Sequence, residues 1–126
     1  MKYIATFGGY STDNLSAAME FYERIGVNIN KESMGLKLSL SGGAQVFIYE
    51  KPDHQPATFT VLNFVVESID TAIDELTAAG VTMERYSDMP AEQDERGVLR
   101  GKAANMGPDI AWFKDNAGNI LAVLEP

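Results

Sequence analysis

The feature that most constrains this chain is that it carries one segment twice. Residues 14–27, Asn-Leu-Ser-Ala-Ala-Met-Glu-Phe-Tyr-Glu-Arg-Ile-Gly-Val, align without gaps on residues 68–81, Ser-Ile-Asp-Thr-Ala-Ile-Asp-Glu-Leu-Thr-Ala-Ala-Gly-Val, at an offset of 54 (68 − 14). Both copies open on a residue whose side chain can cap a helix, Asn14 or Ser68, and both close on a glycine suited to a left-handed C-cap, Gly26 or Gly80. Between those signals Leu15, Ala18, Met19 and Tyr22 recur at helical spacing, as do Ile69, Ala72, Ile73 and Leu76. Each copy is predicted to be an amphipathic helix of about three turns. A repeat of this length makes the fold a duplicated supersecondary unit.

Strand-like runs surround each helix. Tyr3 to Phe7 and Ala57 to Val66 precede the helices. Val27 to Asn30, Leu36 to Leu40 and Gln45 to Glu50 follow the first, and Val81 to Tyr86, Ile110 to Lys114 and Ile120 to Leu124 follow the second. The order is β-α-β-β-β twice, an α+β chain whose modules span residues 1–51 and 57–126. Residues 52–56 form the linker, since Pro52 and Pro56 cannot continue a central strand. The halves differ at residues 87–109, which are long, polar and glycine-rich. Only Val98-Leu99-Arg100 suggests a short strand there, and the segment is expected to be a lid that docks through its apolar pair. One helix covers one face of a four-stranded sheet. Two such units are expected to set their open faces opposite each other, as curved mixed sheets around a cavity within a single domain.

Composition removes whole classes of function. At 126 residues the chain can build an ordinary core, and with no Cys it has no thiol nucleophile, thiolate metal site or disulfide. A net charge of −8 opposes nucleic acid and would concentrate a cationic ligand, although Glu67, Asp70, Asp74 and Glu75 read first as solvated helix faces. The opening Met1 to Phe7 has no apolar stretch of signal-peptide or membrane-span length. A soluble, cytoplasmic protein with no membrane partner is expected.

The run Trp112-Phe113-Lys114-Asp115-Asn116-Ala117-Gly118-Asn119 into Ile120 to Leu124 is an aromatic strand, a turn and a buried strand. With Asn14-Leu15 followed by Phe21-Tyr22, it resembles the vicinal oxygen chelate superfamily, the glyoxalase, bleomycin-resistance and extradiol-dioxygenase group. The resemblance spans essentially the whole chain. It implies tandem βαβββ modules around a cavity and, at this size, a homodimer. In many members each half supplies two metal ligands, commonly a His from its first strand and a Glu from its last, because a divalent cation in an apolar cavity needs converging hard or borderline donors. Counted from the helix caps, the corresponding positions here are Phe7 and Val61 in the first strands and Phe47 and Ala122 in the last. A slip of one residue substitutes Thr6, Thr60, Val46, Ile48, Leu121 or Val123, none of which makes a convincing site. No metal and no cofactor is therefore expected.

Other chemistry-bearing residues are isolated. His54 stands in the linker without a spaced partner. Glu50 and Glu125 occupy equivalent strand ends and could form an acid–base pair, although carboxylates there are more often solvated. Phe7-Gly8-Gly9-Tyr10 lacks the Lys-Ser/Thr ending of a phosphate loop and reads as a bend or bulge.

The period of two along a strand predicts which side chains face the cavity. Ala5, Phe7 and Gly9 share a face, as do Phe59, Val61, Asn63 and Val65, then Gln45, Phe47 and Tyr49, and Ile120, Ala122 and Leu124. Ile4, Leu62, Phe64, Val46, Ile48, Leu121 and Val123 are predicted to pack on the helices. The substrate-binding candidates are Phe7, Gln45, Phe47, Tyr49, Phe59, Asn63, Arg100 and Trp112. The aromatics supply stacking surface. Asn63 is expected to be a buried amide needing a partner, and Arg100 to reach an anionic or carbonyl group from the lid. Two functions fit. One is a metal-free small-molecule binder, resembling the bleomycin-resistance branch, for an aromatic or partly cationic compound. The other is a glyoxalase- or dioxygenase-like enzyme, a lyase, isomerase or oxygenase, using a divalent metal held elsewhere or acid–base chemistry at Tyr10, Tyr49 or Glu50. The missing metal ligands favour the binder, and no catalytic residue can be named.

Overall fold

Both repeat copies fold as helices over matching residues: α1 is Leu15–Arg24 and α2 is Ile69–Ala78, again 54 apart. Asn14 accepts the N–H of Ala17 at 3.0 Å, and Ser68 accepts that of Thr71 at 3.2 Å, so each side chain satisfies a donor that the first helical turn leaves free. Past the other end, Gly26 and Gly80 have φ of 90° and 86°, the left-handed conformation that glycine adopts without a Cβ clash. Ala18, Phe21 and Tyr22 form the buried stripe of α1, and Ile69, Ile73 and Leu76 that of α2.

The computed structural model describes residues 1–126, and the chain divides into units Met1–Pro56 and Ala57–Pro126. In the first, β1 (Gly8–Thr12), β2 (Asn28–Glu32), β3 (Gly35–Ser39) and β4 (Gln45–Glu50) form a sheet in the order β1-β4-β3-β2. In the second, β5 (Thr60–Val65), β6 (Leu99–Arg100), β7 (Asp109–Lys114) and β8 (Ile120–Glu125) form a sheet in the order β5-β8-β7-β6. The last strand of each unit is central, parallel to the first strand and antiparallel to the one before it. Two βαβββ modules in tandem are the architecture that the repeat predicts. No helix is long and apolar enough to cross a membrane.

Three local expectations are corrected. The first strand begins at Gly8 instead of spanning Tyr3 to Phe7, and the glycine pair read as a bend lies inside it. A Cβ on Gly9 would stand 3.0 Å from the carbonyl oxygen of Phe47, so the bare backbone lets β1 approach β4. Ile4, before that strand, is exposed and not packed on a helix. The run Val81 to Tyr86 is not a strand and reaches the sheet through Glu84 N–H on the Trp112 carbonyl at 2.8 Å. The Gln93 side chain takes the ladder partner's place, donating to the carbonyls of Glu84 (3.0 Å) and Gly97 (2.6 Å) and accepting from Tyr86 N–H (2.7 Å). Finally, the register of β5 on β8 shifts between Thr60 and Leu62, a bulge that breaks the strict alternation assumed across Val61.

Beneath the helices the pattern holds. Leu36, Leu38, Val46 and Ile48 are buried in the first unit, and Ala111, Phe113, Leu121 and Val123 in the second. Phe64 stacks on Phe113, with centroids 6.5 Å apart. The closing turn is fixed by Asp115, whose buried carboxylate accepts the N–H groups of Ala117 (2.8 Å) and Asn119 (2.9 Å) and the amide of Asn119 (2.9 Å). That explains its Asp-Asn-Ala-Gly-Asn sequence, with Gly118 at a φ of 81°.

Candidate functional site

The face of each sheet turned away from its helix carries most of the candidate residues. On the first unit, β4 presents Gln45, Phe47 and Tyr49 on that face, opposite to Val46 and Ile48. Phe7, 70% exposed, lies before β1 yet meets Phe47 edge to face at 6.4 Å. Phe7, Met34, Lys37, Gln45 and Phe47 line a cleft of about 290 Å³. Three of the candidates are thus brought together, while Tyr49 stands exposed further along the strand and outside the cleft. Lys37 pairs with Glu32 at 3.5 Å on its rim.

On the second unit, Asn63, Ala122 and Trp112 are neighbours across β5, β8 and β7. The Trp112 indole N–H donates to Thr60 Oγ1 at 3.2 Å. The bulge brings Thr60 to this face and takes Val61 out of the alternation. Phe59, 67% exposed, precedes β5 and belongs to no rung of the sheet. Asn63 is exposed in its own unit and needs no protein partner, contrary to the buried amide expected. Tyr86 meets Trp112 edge to face, 5.7 Å away at 79°, and was not a candidate. The signal was present: it is the aromatic residue closing the run Val81 to Tyr86.

Arg100 lies on the other side of its sheet. Its register partner Asp109 is buried beside the helix, and its guanidinium donates to Asp70 (2.9 and 3.1 Å) and to Asp94 (2.8 Å). The expectation that it meets a ligand is corrected: Arg100 ties the 87–109 segment to α2, aided by Arg96 on Asp70 (3.2 Å) and Asp74. The hydrogen bonds it donates to Asp70, and then to Asp94, hold the Arg100 guanidinium firmly in its charged form, and Arg100 in turn holds the Asp70 carboxyl below its ordinary value. Burial pushes the Asp94 carboxyl up, but the Val98 N–H, the Arg100 guanidinium and the Arg96 N–H outweigh it and leave it lowered.

The remaining polar candidates also have structural partners. Glu125 accepts the N–H of Ile69 at 2.9 Å, at the positive end of α2, and pairs with Lys102; both lower its carboxyl, Lys102 more. It is a helix cap and not a solvated strand end, while Glu50 is exposed. The Tyr10 hydroxyl lies 2.8 Å from that of Tyr22 on α1, on the helix side. His54 meets Ser11 Oγ through Nδ1 at 2.6 Å, securing the linker to β1.

These faces do not fit a divalent cation. Of the four positions counted for ligands, Phe7 lies before β1 and Val61 at the bulge, and the rungs through Phe47 and Ala122 read Gly9, Phe47, Lys37 in one unit and Asn63, Ala122, Trp112 in the other. One amide oxygen and one ammonium group are not a coordination set. No group of three or more His, Asp or Glu side chains elsewhere stands where it could hold a metal.

Duplicated βαβββ units with mixed four-stranded sheets define the glyoxalase/bleomycin-resistance fold. This chain has that fold, and several solved structures share it. The fosfomycin resistance protein FosX from Listeria monocytogenes superposes with a TM-score of 0.69 at 15% identity, over 100% of this chain and 95% of that one. TnmS3, an antibiotic binding protein from Streptomyces sp. CB03234, does so at 0.65 and 18%, over 100% and 99%. A glyoxalase family protein from Enterococcus faecalis does so at 0.63 and 21%, over 94% of each. In sequence comparisons, no protein-family model and no curated protein matches.

Proposed function

We propose that this chain is a small-molecule-binding protein that takes an aromatic or partly cationic compound on its open sheet faces without a metal, and that it works as a cytoplasmic homodimer. The observation that carries this reading is the pair of rungs just described, where apolar and aromatic side chains replace ion donors. A half-open aromatic surface with a few polar groups suits a planar ligand, and the net charge of −8 favours a cationic one. The likeness to an antibiotic binding protein supports a binding role.

The test uses the full chain stripped of metal with EDTA and titrated with the planar cation 9-aminoacridine. The expected result is a higher thermal midpoint and quenching of Trp112, the single tryptophan. A response that appears only after adding Ni, Zn, Mn or Fe ions would overturn the reading and favour the enzyme. Light scattering on a sizing column should give twice the 13.8 kDa chain mass.

A further inference from the structure

Tyr86 holds the one buried side-chain polar atom that lacks a hydrogen-bond partner. Buried hydroxyls are nearly always paired, so an orphan marks a place where something is missing. This one is rigidly placed. Its backbone N–H is held by Gln93, which also grips the carbonyls on either side of the loop, and its ring edge is set against the Trp112 indole. The indole N–H is already committed to Thr60. Tyr86 and Gln93 also line a broad open cleft of about 790 Å³ along residues 85–93, so the ring that carries the buried hydroxyl borders open space. Burial, and then the nearby Glu84 charge, push its ionisation upward, which keeps it a phenol able to donate.

We propose that the Tyr86 hydroxyl donates a hydrogen bond to an acceptor oxygen of the molecule bound against Trp112, so that the ligand class is a planar ring bearing a carbonyl or quinone oxygen. This rests on the reading that the open face binds a small aromatic compound, and it names the polar group that such a compound must carry. A purely hydrocarbon ring would leave the phenol unpaired and gain nothing from it.

The experiment compares the full chain with Tyr86→Phe, using 1,4-naphthoquinone and its oxygen-free counterpart naphthalene as probes. Binding is followed by the single indole N–H resonance of Trp112. The quinone should bind the variant about tenfold more weakly than the wild type, the equivalent of one hydrogen bond. Naphthalene should bind both alike. Without probe, the thermal midpoint of the variant should equal or exceed that of the wild type, because an orphan hydroxyl is removed. A fall of several degrees would reveal a partner already present and overturn the proposal. Equal quinone affinity in the two proteins would overturn it while leaving the binding function standing. Failure of both probes to move the Trp112 resonance of the wild type would overturn this proposal, and failure of 9-aminoacridine as well would overturn the binding function with it.

Discussion

The two modules share a frame and differ at one edge of the sheet. Their helices, N-caps and left-handed glycines repeat at the same offset, and the central strands β4 and β8 have the same kinds of neighbour. The first module finishes its sheet with a five-residue strand, β2, joined to β3 by a tight turn. The second reaches its edge through more than twenty residues, of which Leu99–Arg100 alone form a strand. That segment is held by the buried pair Val98 and Leu99, by the Gln93 side chain and by an ionic clamp, with Asp94 at its centre and Arg96 and Arg100 clamped on α2. Backbone pairing and ionic clamping are thus alternative ways of closing the same sheet.

The sharpest challenge to this comparison is a pair of glycines, Gly35 where the turn from the edge strand β2 enters β3 and Gly101 just past the edge strand β6. A Cβ on Gly35 would overlap the Ile48 carbonyl oxygen, and one on Gly101 that of Pro108. Backbone must move in either case, so Gly35→Ala and Gly101→Ala should each cost about 3 kcal/mol in denaturant unfolding. A clearly smaller loss at Gly101 would mean that the clamped edge yields where the paired one does not. Next in size is Asp94→Ala, which frees the N–H groups of Arg96 and Val98 and one side of Arg100. It should cost about 2 kcal/mol and raise amide exchange across residues 94–101 while residues 28–39 keep their protection. Asn14→Ala and Ser68→Ala should each cost about 1 kcal/mol, and similar values would establish that the two helix starts are equivalent in energy as well as geometry.

The smallest effect is on pH. Asp70, Asp94 and Glu125 all titrate below their ordinary values of 3.8 and 4.5 in the folded chain. Their stabilisation is complete above those values and is lost as pH falls through them towards the lowered ones. In the first module only the exposed Asp53, paired with Lys51, is similarly lowered. Exchange measured at about pH 5 and again at about pH 3 should therefore show residues 94–101 loosening before the first module does.

Most of the frame was legible in the sequence because it rests on local rules: capping side chains, helical periodicity and glycine at the helix ends. The site was less legible. Alternation placed Gln45, Phe47 and Tyr49 correctly because β4 is regular, but it failed at Phe59 and Val61, where the bulge resets the count. Arg100 was read towards a ligand because nothing in the sequence reveals that Asp70, thirty residues away, stands within reach of its guanidinium. Tyr86 closes a run that reads as a strand, but the Gln93 clamp that takes the ladder partner's place and the Trp112 ring beside it are long-range partners that no local rule reveals.

The parallel pairings also bear on how far the chain must travel before a sheet can close. Gly9 meets Phe47, 38 residues on, whereas Asn63 meets Ala122, 59 residues on. The entropy of ring closure grows only logarithmically with length, so the longer circuit costs only about 0.4 kcal/mol more. The excursion through residues 87–109 is therefore nearly free, and lineages of this architecture could lengthen or trim it with little penalty as long as its ionic moorings survive.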